Sequence, residues 1–104
     1  MAYKDETLTF ASDKIYYTVE GFGEMEVMMD WEDAIMKASA DYVCENGGDI
    51  LEIGFGMGIA ADYIQANSIT SHTIVENHPQ VIVKAKAWAV GKSNVCLLYT
   101  SDAA

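Results

Sequence analysis

Asp49-Ile50-Leu51-Glu52-Ile53-Gly54-Phe55-Gly56-Met57-Gly58-Ile59-Ala60-Ala61 carries a strand, a glycine-rich turn and the start of a helix in unbroken succession. Residues 49–53 read as a short buried strand. Three alternating glycines make a turn, and Ile59-Ala60-Ala61-Asp62-Tyr63-Ile64-Gln65 reads as a helix closed by Asn67-Ser68. Glycine tolerates positive φ and lets a ligand approach the backbone closely. Downstream, His72-Thr73-Ile74-Val75-Glu76 is a second strand. Pro79 suits the first turn of a helix running to about Val90, and Val95 opens a third apolar run. This alternation of strand and helix predicts an α/β fold with parallel strands. Glu76 closes the second strand 20 residues after Gly56. A carboxylate there accepts hydrogen bonds from ribose hydroxyls, so the pattern predicts a nucleoside site at the carboxyl end of the sheet.

Upstream, Thr7-Leu8-Thr9-Phe10 and Ile15-Tyr16-Tyr17-Thr18-Val19 read as strands joined by a turn at Ala11-Ser12-Asp13-Lys14. Glu24 to Met28 is one more short strand. A helix follows, with Asp30 as its N-cap and Glu32 and Asp33 in the first turn, where the helix dipole favours acids. Trp31, Ile35, Ala38 and Tyr42 recur at helical spacing and predict one apolar stripe, and Gly47-Gly48 ends the helix. The expected organisation is a β-rich extension over 1–28, a partial catalytic domain over 29–95, and a tail over 96–104 that reads as translated sequencing adapter.

The 104 residues carry 16 Asp+Glu against 6 Lys+Arg, a formal charge of −10. All the basic residues are lysine. Such a chain does not suit a phosphate-backbone partner, so no nucleic acid is expected. Two cysteines make no disulfide scaffold, and the N-terminus does not read as a secretory signal, so a cytoplasmic setting is expected. No apolar run is long enough to span a bilayer, so no membrane partner is expected. His72, His78, Cys44 and Cys96 sit in no ligand spacing, so no metal is expected. The acids between Glu20 and Asp33 form a solvated surface, or else concentrate a cationic substrate.

Which nucleoside binds is left open by the turn alone. Gly56-Met57-Gly58-Ile59-Ala60-Ala61 also fits the dinucleotide fingerprint, with Glu76 in the acidic role. Glu52 two places before Gly54, and glycines at 54, 56 and 58, favour S-adenosyl-L-methionine. An NAD(P)-binding oxidoreductase domain, a methyltransferase with another acceptor and a non-catalytic nucleoside-binding fragment remain alternatives.

Val27-Met28-Met29-Asp30-Trp31-Glu32-Asp33-Ala34-Ile35-Met36, taken with the glycine turn and Ile74-Val75-Glu76-Asn77, resembles guanidinoacetate N-methyltransferase and related arginine N-methyltransferases. The resemblance covers residues 27–88. It implies the N-terminal part of a Rossmann-like class I methyltransferase fold. It implies that Met28, Met36, Glu52, Gly54, Phe55, Gly56, Met57, Gly58, Ile59 and Ala60 belong to the cofactor site. Glu76, with Asn77 and His78 beside it, would meet the adenosine. Glu32 would hold the guanidinium of a small, cationic substrate, and the family's second substrate carboxylate has no counterpart here. Carboxylates suit a planar guanidinium because they orient it by paired hydrogen bonds and take up its proton as the nitrogen attacks.

Overall fold

A computed structural model of the chain describes residues 5–99. Its elements run β1 (Thr9–Phe10), β2 (Lys14–Val19), β3 (Gly23–Met29), α1 (Asp33–Val43), β4 (Asp49–Ile53), α2 (Ile59–Gln65), β5 (Ser71–Val75), α3 (Pro79–Ala89) and β6 (Val95–Leu98). Residues 100–104, in the expected adapter tail, lie outside the described residues.

The strands form two sheets. β1, β2 and β3 make an antiparallel sheet in that order, and β4, β5 and β6 make a second with β5 central. Both pairings of the second sheet are parallel, as the strand–helix alternation predicts. The β2–β3 pairing carries a register shift at Ile15/Tyr16. Such a bulge bends a strand and increases its twist.

Side-chain parity decides what each face of the parallel sheet meets. Ile50, Glu52, His72 and Ile74 point to the helices and are buried. Leu51, Ile53 and Leu98 point the other way and are 62%, 80% and 52% exposed. One core cluster joins Ile50 with Ala40 of α1, Cys44 just beyond that helix and Ile64 of α2. The larger cluster joins Leu8 and Ile15 of the N-terminal region to Phe55, Ala61, Ile74, Val81 and Ala85. The N-terminal sheet is therefore packed onto the α/β unit through a shared core.

Two expectations for α1 are corrected. The helix starts at Asp33 after a 3-10 turn over Asp30–Glu32, so its N-cap position falls on Glu32 and not on Asp30. The stripe Trp31, Ile35 and Tyr42 faces solvent at 66%, 61% and 76% exposure. The buried side instead carries Ala40, with Cys44 beyond the helix end. On this side α1 packs against α2, and Ala40 joins the cluster with Ile50 and Ile64.

Candidate functional site

The glycine turn follows β4 directly. Gly54, Gly56 and Gly58 have φ of 87°, 58° and 81°, a region that disfavours side chains. Gly54 N–H donates to Val75 O at 2.7 Å, which ties the turn to the end of β5. The Phe55 ring is tucked beneath it, 3% exposed, with Trp88 edge-on at a centroid distance of 5.4 Å. A β-carbon at Gly58 would come within 2.8 Å of that ring.

Glu76 stands one residue beyond β5 and is 8% exposed. Its Oε1 accepts Phe55 N–H at 2.8 Å, across 21 residues of chain. Its Oε2 accepts the N–H groups of Asn77 and His78 at 3.1 and 3.0 Å. The carboxylate thus pins the glycine turn to the strand end and is itself held rigidly. A carboxylate offers about four lone-pair sites. Three are engaged by backbone, which leaves room for about one further donor.

Between turn and strand end lies an open cleft of about 610 Å³ lined by Val27, Met28, Ile53, Gly54, Gly56, Val75, Glu76 and Asn77. That volume is within the range of small-molecule sites. Met28 reaches over from β3, and its sulfur accepts Met57 N–H at 2.9 Å. Its thioether lies on Gly56, where a β-carbon would approach it to 2.7 Å. A second cleft of about 330 Å³ opens on the other side of Gly56. Phe10, Ser12, Phe55, Met57 and Lys84 are among its walls.

The other residues singled out by sequence sit elsewhere. Glu52 turns toward the helices and accepts from His72 Nε2 at 2.9 Å, while Gln65 Nε2 donates to His72 Nδ1 at 3.1 Å. Met36 and Ala60 line an apolar groove of about 180 Å³ between α1 and α2. Ile59 opens α2 behind the turn. His78 is buried: its Nδ1 accepts Gln80 N–H at 3.2 Å, and its Nε2 donates to Glu6 O at 2.6 Å. Glu32 is half-buried, and its Oε2 accepts Met29 N–H at 3.0 Å. Trp31 beside it donates to the Met29 sulfur at 3.3 Å. Tyr63 OH donates to Asp33, bracing α2 against the start of α1, and that bond raises the Tyr63 phenol pKa.

Sequence reasoning missed Val27, Lys84 and Gln80. The Gln80 amide brackets the backbone of Leu8, accepting its N–H at 2.6 Å and donating to its carbonyl at 3.2 Å. With His78 it clips the N-terminal segment to the start of α3, and so seats the antiparallel sheet against the glycine turn. The only sequence signal was a polar pair flanking Pro79. Among the described residues no group of three or more His, Cys, Asp or Glu is placed to hold a metal. No helix among them is long and apolar enough to cross a membrane.

A parallel sheet, a glycine turn and a strand-end carboxylate meeting over one cleft define an α/β protein with a site at the carboxyl end of its sheet. Residues 3–98 match the family model for guanidinoacetate N-methyltransferase, and the chain belongs to that family. It is 40% identical over 91 residues to "Protein arginine N-methyltransferase 2" of Yarrowia lipolytica (strain CLIB 122 / E 150), covering 81% of this chain and 18% of that protein. The protein of the same name from Saccharomyces cerevisiae (strain ATCC 204508 / S288c) is 38% identical over 105 residues, covering 94% and 23%. That of Aspergillus oryzae (strain ATCC 42149 / RIB 40) is 38% identical over 89 residues, covering 83% and 21%. The chain thus spans about a fifth of the length of these relatives.

These relatives correct the expectation of a small-molecule partner, because each is named for an arginine in a protein. The physical reason is plain. A guanidinium is the same planar cation on a small molecule and at the end of an arginine side chain. Carboxylate placement reads the cation and not what carries it.

Proposed function

We propose that the chain carries the S-adenosyl-L-methionine site of a methyltransferase whose acceptor is an arginine guanidinium presented by a protein. The observation that supports this reading best is Glu76, fixed by the Phe55, Asn77 and His78 amides at the edge of the glycine-turn cleft. Its remaining acceptor capacity meets a ribose hydroxyl. Gly54 and Gly56 let the nucleoside lie against bare backbone, and Val75 and Asn77 flank it. Among the described residues no lysine lines this cleft, which disfavours the pyrophosphate of a dinucleotide.

S-adenosyl-L-methionine supplies an electrophilic methyl on a sulfonium. In-line displacement depends on holding the nucleophile in place. Glu32 serves that end. One of its oxygens is fixed on Met29 N–H, and the second has no partner among the described residues. That free oxygen holds a guanidinium N–H, and exposed Trp31 beside it offers a π face to the cation.

The test is methyl transfer from radiolabelled S-adenosyl-L-methionine to an arginine-containing protein, its lysine-substituted counterpart and free guanidinoacetate. Label on the arginine protein alone supports the reading. Label on guanidinoacetate alone, or equally on the lysine protein, overturns it.

A further inference from the structure

β3 is an outer strand of the antiparallel sheet and pairs with β2 alone, so its other edge carries no strand among the described residues. Such an edge presents a row of backbone N–H and C=O groups that can pair with another chain. Gly23 to Glu26 are exposed, and Val27 to Met29 are half-buried. In the β2 ladder Ile15 faces Met28 and Tyr16 faces Glu26, so Val27 is the extra residue of a bulge on β3. The regular part of the edge is therefore Gly23 to Glu26, and a guest strand leaves the ladder at Val27. Val27 and Met28 also line the cleft beside Glu76, so the edge runs into the proposed site. At the end of the same strand Glu32 accepts Met29 N–H.

Charge decides which chain fits. Between Lys14 and Lys37 the sequence holds six acids and no base. Glu24 and Glu26 stand on one face of β3. Lys14 pairs with Glu24 at 2.5 Å, while Glu26 makes no hydrogen bond or ion pair among the described residues. A guest residue directly opposite Glu26 has its β-carbon about 4.5–5.5 Å away, where an opposite charge is favourable and a like charge is not. A second copy of β3 brings acids against acids and is disfavoured. A strand bearing arginine or lysine is favoured. The outer strands of the parallel sheet lack this selection. β6 has no charged residue, and on β4 Asp49 accepts from Ser71 and Glu52 from His72.

From this we infer that the free edge of β3 takes an extended, arginine-bearing segment of the acceptor protein as an added strand, held by backbone hydrogen bonds and selected for charge by Glu26. The inference rests on the proposed protein acceptor and adds how that protein docks. The probe is a short peptide alternating arginine with valine. One control is the same peptide N-methylated throughout its backbone, which keeps the charge and donates nothing to a ladder. The other carries glutamate in place of arginine. Binding is followed by amide hydrogen exchange of the labelled protein and by calorimetric titration, both without cofactor. With the arginine peptide at about ten times its Kd, the outward amides among residues 23–26 are expected to exchange about tenfold more slowly. Neither control slows them. Glu26 is exposed, so Glu26→Lys spares the core, and it weakens the arginine peptide about threefold or more. No binding of the arginine peptide, equal binding of the N-methylated one, protection of β4 or β6 in place of β3, or an unchanged affinity in Glu26→Lys overturns the inference and leaves the arginine acceptor to its own methyl-transfer assay. Protection of β3 without methyl transfer to any arginine protein supports the edge as a docking surface and overturns the acceptor reading instead.

Discussion

Replacing Glu76 by alanine removes the acceptor of three backbone donors at once: Phe55, Asn77 and His78. The bonds to Phe55 and His78 are buried. An unsatisfied buried donor costs about 1–3 kcal/mol. Water can enter from the open cleft and recover part of that, so the expected loss is about 2–4 kcal/mol. With a urea slope of about 1–3 kcal/mol/M, the unfolding midpoint falls by about 1–2 M. Glu76→Gln separates this structural role from a ligand role. Its amide oxygen keeps the Phe55 bond, while its NH₂ opposes one or both of the other two donors. The stability loss is then about 1–2 kcal/mol, yet nucleoside affinity falls about tenfold through the lost charge. The assay is urea unfolding by circular dichroism, paired with calorimetric titration of S-adenosylhomocysteine. A Glu76→Ala midpoint equal to that of the unaltered protein would show that the carboxylate does not hold the turn. An unchanged affinity in Glu76→Gln would sink its ligand role.

Three further outcomes are expected. Gly58→Ala costs more stability than Gly54→Ala, because its β-carbon meets the buried Phe55 ring at 2.8 Å while Gly54 has open space. The difference, about 1–3 kcal/mol as for overpacking, is read from paired urea midpoints, and equal midpoints would refute the buried-ring argument. Gln80→Ala frees the backbone of Leu8 and, by loosening the N-terminal sheet, speeds amide exchange across β1 and β2 more than across β4 and β5; uniform acceleration would show that the clip is not local. Cys96, exposed on β6, is alkylated before Cys44, whose thiol pKa is raised by burial and secondarily by Asp41. The sign follows: a folded-state pKa above the unfolded value favours the protonated thiol, so this contribution to stability is full below the unfolded pKa and is lost as pH rises through the folded one. Mass spectrometry of timed iodoacetamide reactions checks the order, and a faster Cys44 would contradict it.

Much of the α/β unit was legible because its punctuation is chemical. Among the described residues every positive φ falls on a glycine, so the run at 54, 56 and 58 announces a turn that other residues resist. The bounds of β4 and α2 follow from that turn and agree with the structure at both ends. The outward stripe of α1 was not legible. Helical spacing identifies a face, but Trp31, Ile35 and Tyr42 point to solvent while Ala40, on the other side, packs with Ile50 and Ile64. The pairing of Glu52 with His72 was half legible, since both occupy inward parity positions of strands expected to be parallel. The clip of Gln80 on Leu8 joins residues 72 positions apart, and nothing local marks it. The acceptor shows the same limit, because a guanidinium is the same cation whether a small molecule or an arginine side chain carries it.

The proposed site holds an S-adenosyl nucleoside between residues 54–58 and Glu76. The most direct measurement follows the backbone amide resonances of the labelled protein while S-adenosylhomocysteine and, separately, NADH are added. Saturable shifts are expected with S-adenosylhomocysteine, largest at Gly54, Phe55, Gly56 and Asn77, and none of comparable size with NADH. Equal shifts with both ligands, or shifts confined to residues away from the glycine turn, would contradict it.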